Sequence, residues 1–185
     1  MANSNITKRA LASSLKELMV EIPFEKITVA HICEKCGMNR KSFYYHFKDK
    51  YDLVNWIFDI EYIPIAKSNV IDTSWSLFES LATYFYENKG FYRKVMRITG
   101  QNSFHEHFCE CLDPVLEYRT KEILGIESPC PLVIQILKDV ITSAFGRWLT
   151  APDCMPPEQF IHILKTMTEA SSVAVCKEIY EQSNT

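Results

Sequence analysis

Apolar residues recur along this chain at spacings of three and four, and strict alternation is scarce, so the predicted elements are helices. Ile6, Ala10, Leu11, Leu15, Leu18 and Met19 share one face of a first helix. A connection containing Pro23 leads to Thr28, a good N-cap, after which Val29, Ile32, Cys33 and Cys36 form an i, i+3, i+4, i+7 stripe. Gly37 stands where a helix end calls for positive φ. Asn39 can cap the next helix, in which Phe43 and Phe47 share a face. Asp49 can cap a fourth, near residues 50–63, with Leu53, Trp56, Ile57 and Ile60 inward and Pro64 beyond its end. Further helices are predicted from Trp75 to Phe85, over 91–98 with Gly100 ending it, and through Phe104, Phe108, Leu112 and Leu116, bent near Pro114. Val133, Ile136, Leu137, Val140, Ile141, Ala144, Phe145 and Trp148 make a long apolar stripe. A Pro-rich loop then precedes a last helix aligning Phe160, Ile163, Leu164, Met167, Ala170 and Ala174. The fold class is all-α, with about eight or nine helices.

Charge adds a direction to this picture. Residues 1–50 carry nine Lys and Arg against five Asp and Glu, whereas 51–185 carry eleven against eighteen, within a net charge of −3. A basic head on an acidic body suggests that the head meets a polyanion. The expected division is therefore a polyanion-binding head over 1–50 and a separate helical body over 51–185. No apolar run is long enough to span a membrane, no secretory leader is evident, and seven cysteines without a regular framework suit reduced thiols. The expected location is the cytoplasm.

The informative window is 27–54, ITVAHICEKCGMNRKSFYYHFKDKYDLV. It reads as a short helix, a tight glycine turn, a second short helix and the start of a long one, which is the layout of a helix-turn-helix. With Phe43 and Phe47 turned to the core, Asn39, Arg40, Lys41, Ser42, Tyr44, Tyr45 and His46 project mostly outward, and none is acidic. Lys48 and Lys50 follow, where the next helix N-terminus offers N–H groups to a phosphate.

Thr28-Val29, Ile32, Cys36-Gly37-Met38-Asn39, Phe43-Tyr44, His46-Phe47, Lys50 and Leu53 together resemble the signature of the TetR family of transcription regulators. The departures are mild: Cys36, Met38 and Asn39 stand where the family has Ala, Val and Ser. The resemblance covers about residues 6–55 and implies a dimer whose recognition helices, near 39–46, enter successive major grooves of a pseudo-palindromic operator. By position it implies that Thr28, Tyr44, His46, Lys48 and Lys50 bind phosphates, and that Arg40, Lys41 and Tyr45 read or line the groove. The stretch Ala144 to Leu149 and the final helix look like the family's last two helices, which pair with a second subunit as a four-helix bundle. The layout is also similar to a subgroup regulating dihydroxyacetone kinase operons, which implies a kinase-like protein as a possible partner.

The expected function is effector-controlled, sequence-specific DNA binding, with repression as the family default. Ligand binding to the body would shift the fourth helix and respace the reading heads. Tyr62, Tyr92, His105 and Trp148 are candidate effector-binding residues, although each also suits a core or a polar face. Two alternatives stay open: an activator controlled by a protein partner, and a helical interaction module without DNA binding. Intact Arg40, Lys41, Lys48 and Lys50 argue against the second. Cys33 and Cys36 lack two further ligands at zinc spacing, and both lie on the buried stripe, so core packing is expected. His105, His107 and Cys109 do not share one helical face, so no metal site is expected there. No catalytic or cofactor-binding constellation is present in the sequence, so neither an enzyme nor a cofactor is expected.

Overall fold

Local capping chemistry sets the helix boundaries in the first third of the chain. The protein is known here as a computed structural model that describes residues 2–68, 74–98, 103–124 and 131–168. Helix α1 (Ala2–Glu21) leads through a 3-10 turn (Phe24–Lys26) to α2 (Val29–Lys35), α3 (Arg40–His46) and α4 (Lys50–Ser68). Then come α5 (Ser74–Glu87), α6 (Lys89–Val95), α7 (Phe104–Leu124), α8 (Pro131–Thr150) and a final helix, α9, over 157–168. The described residues contain no strand.

The four predicted local signals all act as expected. Thr28 caps α2 by accepting from the His31 N–H, and Asn39 caps α3 by accepting from the Ser42 N–H at 2.8 Å. Asp49 Oδ1 accepts from the Tyr51 and Asp52 amides at 2.8 and 2.9 Å, which starts α4. Gly37 sits at φ 68°, a conformation that a side chain would strain, and it ends α2.

The chain divides into two compact units. The first comprises 1–68 and 88–108, so it contains α1–α4 and α6. Its core runs from Leu11, Leu15 and Met19 through Phe43 and Phe47 to Ile57, Phe58 and Tyr92. Two lysines tie its helices together. Lys16 of α1 bonds both carboxylate oxygens of Glu61 on α4, at 2.6 and 2.8 Å, and lies over the Phe91 ring. Lys94 of α6 donates to the Met19 and Val20 carbonyls, two of the acceptors that the end of α1 leaves without helical partners. Lys94→Met should therefore destabilise this unit by about 1–2 kcal/mol. Urea unfolding followed by fluorescence checks this, and an unchanged midpoint would mean that solvent serves these carbonyls equally well.

The second unit comprises 69–87 and 109–185. Its core is aromatic: the Phe160 ring of α9 stacks on Trp148 of α8 at 4.3 Å and meets Phe145 edge-on at 5.0 Å. The Trp148 indole N–H donates to the Met155 carbonyl at 2.9 Å, which satisfies its one polar atom in the core.

Three expectations change here. Helix α4 continues through Pro64 to Ser68 instead of ending near 63. Pro64 is exposed, so the carbonyl its missing N–H would have bonded lies where water can reach it. The α8 stripe is two faces rather than one: Ile134, Ile141, Phe145 and Trp148 are buried, whereas Leu132, Val133, Ile136 and Val140 are 65%, 37%, 53% and 52% exposed. On α9, Phe160 and Leu164 are buried, but Ile163 and Met167 are exposed. The predicted roles of Gly100, Ala170 and Ala174 fall outside the described residues.

Candidate nucleic-acid interface

The candidate reading surface lies on α3, a helix of only seven residues. So short a helix needs tertiary anchors to persist. Phe43 is fully buried and Phe47 nearly so, with their rings 5.7 Å apart, and Phe47 meets Trp56 of α4 edge-on at 5.6 Å. Helical geometry then turns the remaining α3 side chains outward. Arg40, Lys41, Tyr44 and Tyr45 are exposed, Tyr45 to 83%, and Ser42 and His46 are half-buried. Lys48 is exposed just beyond the helix, and no acidic side chain occurs from Lys35 to Lys48. The surface is therefore uniformly donor-rich, as a phosphate-facing surface must be.

Individual side chains are already oriented. The Arg40 guanidinium donates to the Tyr44 hydroxyl at 3.4 Å and lies 5.9 Å from its ring. Tyr45 meets the His46 ring edge-on at 4.9 Å. The Asn39 side chain is engaged as a cap, accepting from both the Ser42 amide and the Ser42 hydroxyl. At the start of α2, Thr28 Oγ1 accepts from the His31 amide at 3.2 Å while His31 Nδ1 accepts from the Thr28 amide at 3.3 Å. This arrangement leaves the Thr28 hydroxyl hydrogen, and the Nε2–H of a neutral His31, as donors on exposed residues. Sequence reasoning did not single out His31. Its signal was available: Thr28-x-x-His31 has the spacing of a capping box, with His in the place of the usual Glu or Gln.

Two expected phosphate contacts are placed differently. The Lys50 ammonium donates to the carbonyls of Phe24, Glu25 and Ile27 at 2.7, 3.3 and 2.8 Å, and it lies 4.3 Å over the Phe24 ring. All three of its N–H donors thus have backbone partners, and burial lowers its pKa from the usual lysine value. The N-terminus of α4 is likewise occupied, because Asp49 holds the Tyr51 and Asp52 amides and Asp52 accepts from the Lys48 amide at 2.9 Å. Two carboxylates at that end oppose a phosphate rather than invite one.

Of the cysteine pair only Cys33 joins the core, and Cys36 is half-buried. Cys33 is buried, and that burial raises its thiol pKa, while the Cys36 thiol donates to the Ile32 and Cys33 carbonyls at 3.3 and 3.5 Å. The effector candidates fall in two different units. Tyr62 stacks on Phe58 at 5.2 Å and Tyr92 meets Phe58 edge-on at 6.5 Å, so both belong to the first core. His105 is exposed on α7, and Trp148 belongs to the second unit. His107, by contrast, pairs with Asp59 at 2.7 Å. Two open grooves lie in the second unit, of about 430 Å³ beside Asp113, Lys121 and Lys138 and about 540 Å³ beside Glu79, His162 and Lys165. None of Tyr62, Tyr92, His105 or Trp148 lines either groove.

Residues 12–57 match the family described as bacterial regulatory proteins, tetR family, and residues 72–170 match the C-terminal region of transcriptional regulators of this kind. A curated relative, the HTH-type dhaKLM operon transcriptional activator DhaS of Lactococcus lactis subsp. lactis (strain IL1403), is 29% identical over 109 residues. That stretch spans 58% of this chain and 57% of the relative's length. Among solved structures, a TetR transcriptional regulator from Streptococcus agalactiae 2603V superposes with a TM-score of 0.71 at 20% identity, covering 90% of this chain and 95% of that one. The dihydroxyacetone kinase operon activator DhaS superposes at 0.62 with 19% identity over 91% and 97% of the two chains. NalD, the secondary repressor of the MexAB-OprM multidrug efflux pump in Pseudomonas aeruginosa, does so at 0.62 with 18% identity over 90% and 96%. No described helix is long and apolar enough to cross a membrane.

Proposed function

This chain belongs to the TetR family of bacterial transcriptional regulators, and from that premise we propose that it binds operator DNA in the cytoplasm as a homodimer, reading bases from α3. The observation that carries the reading is the exposed Arg40, Lys41, Tyr44 and Tyr45 surface, held rigid by buried Phe43 and Phe47. Arg40 and Lys41 are the base readers, with Tyr45 lining the groove. Thr28, Tyr44, His46 and Lys48 hold phosphates, and His31 joins them at the start of α2. Asn39 and Ser42 orient α3 through their capping bonds.

The second copy is proposed to dock on α8 and α9. The exposed faces bearing Leu132, Ile136 and Val140 on one helix and Ile163 and Met167 on the other are apolar surface that a two-fold partner would bury. Control is proposed to act through the helical body, by a small molecule or by a kinase-like protein partner. A metabolite that is the effector should raise the melting temperature with its concentration. Activation, rather than repression, is a second reading, favoured by the 29% identical relative, which is an operon activator. In vitro transcription from the chain's own upstream DNA separates the two signs.

Binding to that DNA across a salt series tests the central claim. Log affinity should fall linearly with log salt, by about 10³ between 50 and 200 mM if six or more phosphates are engaged. Arg40→Ala should cost about 1–3 kcal/mol and relax preference at one operator position, whereas Lys48→Ala should weaken all sequences alike and flatten the slope. The same loss on random DNA for both variants would remove Arg40 from base reading.

A further inference from the structure

One ammonium brackets the reading motif. Lys50 opens α4, three residues after Phe47 closes α3, and its donors reach back to the carbonyls of Phe24, Glu25 and Ile27. Ile27 immediately precedes Thr28, the cap that sets where α2 begins. The two ends of the helix-turn-helix, residues 28–47, are thereby pinned to one point. The pin is built rather than incidental. The Phe24 carbonyl accepts both Lys50 and the Ile27 amide, the Phe24 ring lies under the ammonium, and Tyr51 packs edge-on against Phe24 at 5.2 Å.

We propose that Lys50 is a positioning residue for DNA recognition, holding the start of α2 against the exit of α3, and that it does not contact a phosphate. The proposal rests on the DNA-binding reading above. A phosphate contact would need the ammonium to leave three carbonyls for one exposed anion, and the polyanion already has Lys41 and Lys48 at the surface. Lysine suits the position because a compact ammonium can aim three donors at three converging carbonyls. A planar guanidinium fork does not match that arrangement.

The test compares wild type, Lys50→Met and Lys50→Arg in the full-length protein, by operator binding over a salt series and by hydrogen exchange of the free protein. For Lys50→Met we expect affinity to fall about tenfold, the loss one mismatched base pair brings, with an unchanged salt slope and faster exchange over residues 24–35. Lys50→Arg, which keeps the charge, should not restore affinity. A slope smaller by about 0.9 together with full activity of Lys50→Arg would make Lys50 a phosphate contact and overturn the proposal. Unchanged affinity with only a lower melting temperature would make it a general stabiliser, which also overturns it. Should Lys50→Met not fold, Lys50→Arg decides, since the two roles predict opposite results for it. Wild type that binds no DNA would count against the functional reading, while exchange over 24–35 would still judge the pin.

Discussion

Ile136→Glu on α8 is expected to yield a folded monomer whose operator affinity is lower by about 10² or more. The residue is 53% exposed between Val133 and Val140, outside the buried core of the second unit, so the substitution leaves that core in place. At a two-fold interface each change occurs twice, and two carboxylates would have to be buried without partners. Losing the dimer separates the two reading heads. The second half-site contact then ceases to be intramolecular, which forfeits the roughly 10²–10⁴ that linkage supplies. Sedimentation equilibrium at micromolar concentration, run beside DNA binding, checks both parts. A variant that stays dimeric with wild-type affinity would move the interface off this face of α8. A variant that becomes monomeric yet binds as tightly would remove two-fold reading from the mechanism.

Phe43→Ala should have the next largest effect, and of a different kind. Phe43 is fully buried and is the central anchor of a seven-residue helix that cannot persist alone. Truncation removes the apolar burial and leaves a cavity, which for Phe costs about 3–5 kcal/mol. That is a large share of a total domain stability of about 5–15 kcal/mol. The expected result is loss of the first unit's cooperative melting at growth temperature, with operator binding lost alongside. Tyr45→Ala is the matched control. Tyr45 is 83% exposed, so its loss should leave the melting temperature unchanged and weaken DNA binding alone. Equal stability of Phe43→Ala and wild type would mean that α3 is held by contacts other than its own core face.

The sequence by itself determined what depends on near neighbours. Thr28, Gly37, Asn39 and Asp49 act within two to four residues through capping bonds and a left-handed backbone, so the helix-turn-helix and its boundaries were legible before any coordinates. Buried Phe43 and Phe47 followed from helical period, and so did the exposed Arg40, Lys41 and Tyr45 opposite them. The tertiary structure decided what depends on distant partners. Lys50 has the exposed-cation look of Lys48, yet its acceptors lie 23 to 26 residues back, and periodicity does not encode them. On α8 apolar residues cover two faces, and period alone does not say which face meets this chain's own core and which stays exposed. Tyr62, Tyr92 and Trp148 could equally have lined a cavity or filled a core, because an aromatic side chain is suited to both. The structure buries all three, with Phe58 beside the tyrosines and Phe160 beside the tryptophan. Capping and period are short-range physics, written locally in the chain. Which surface is buried is a property of the assembled fold.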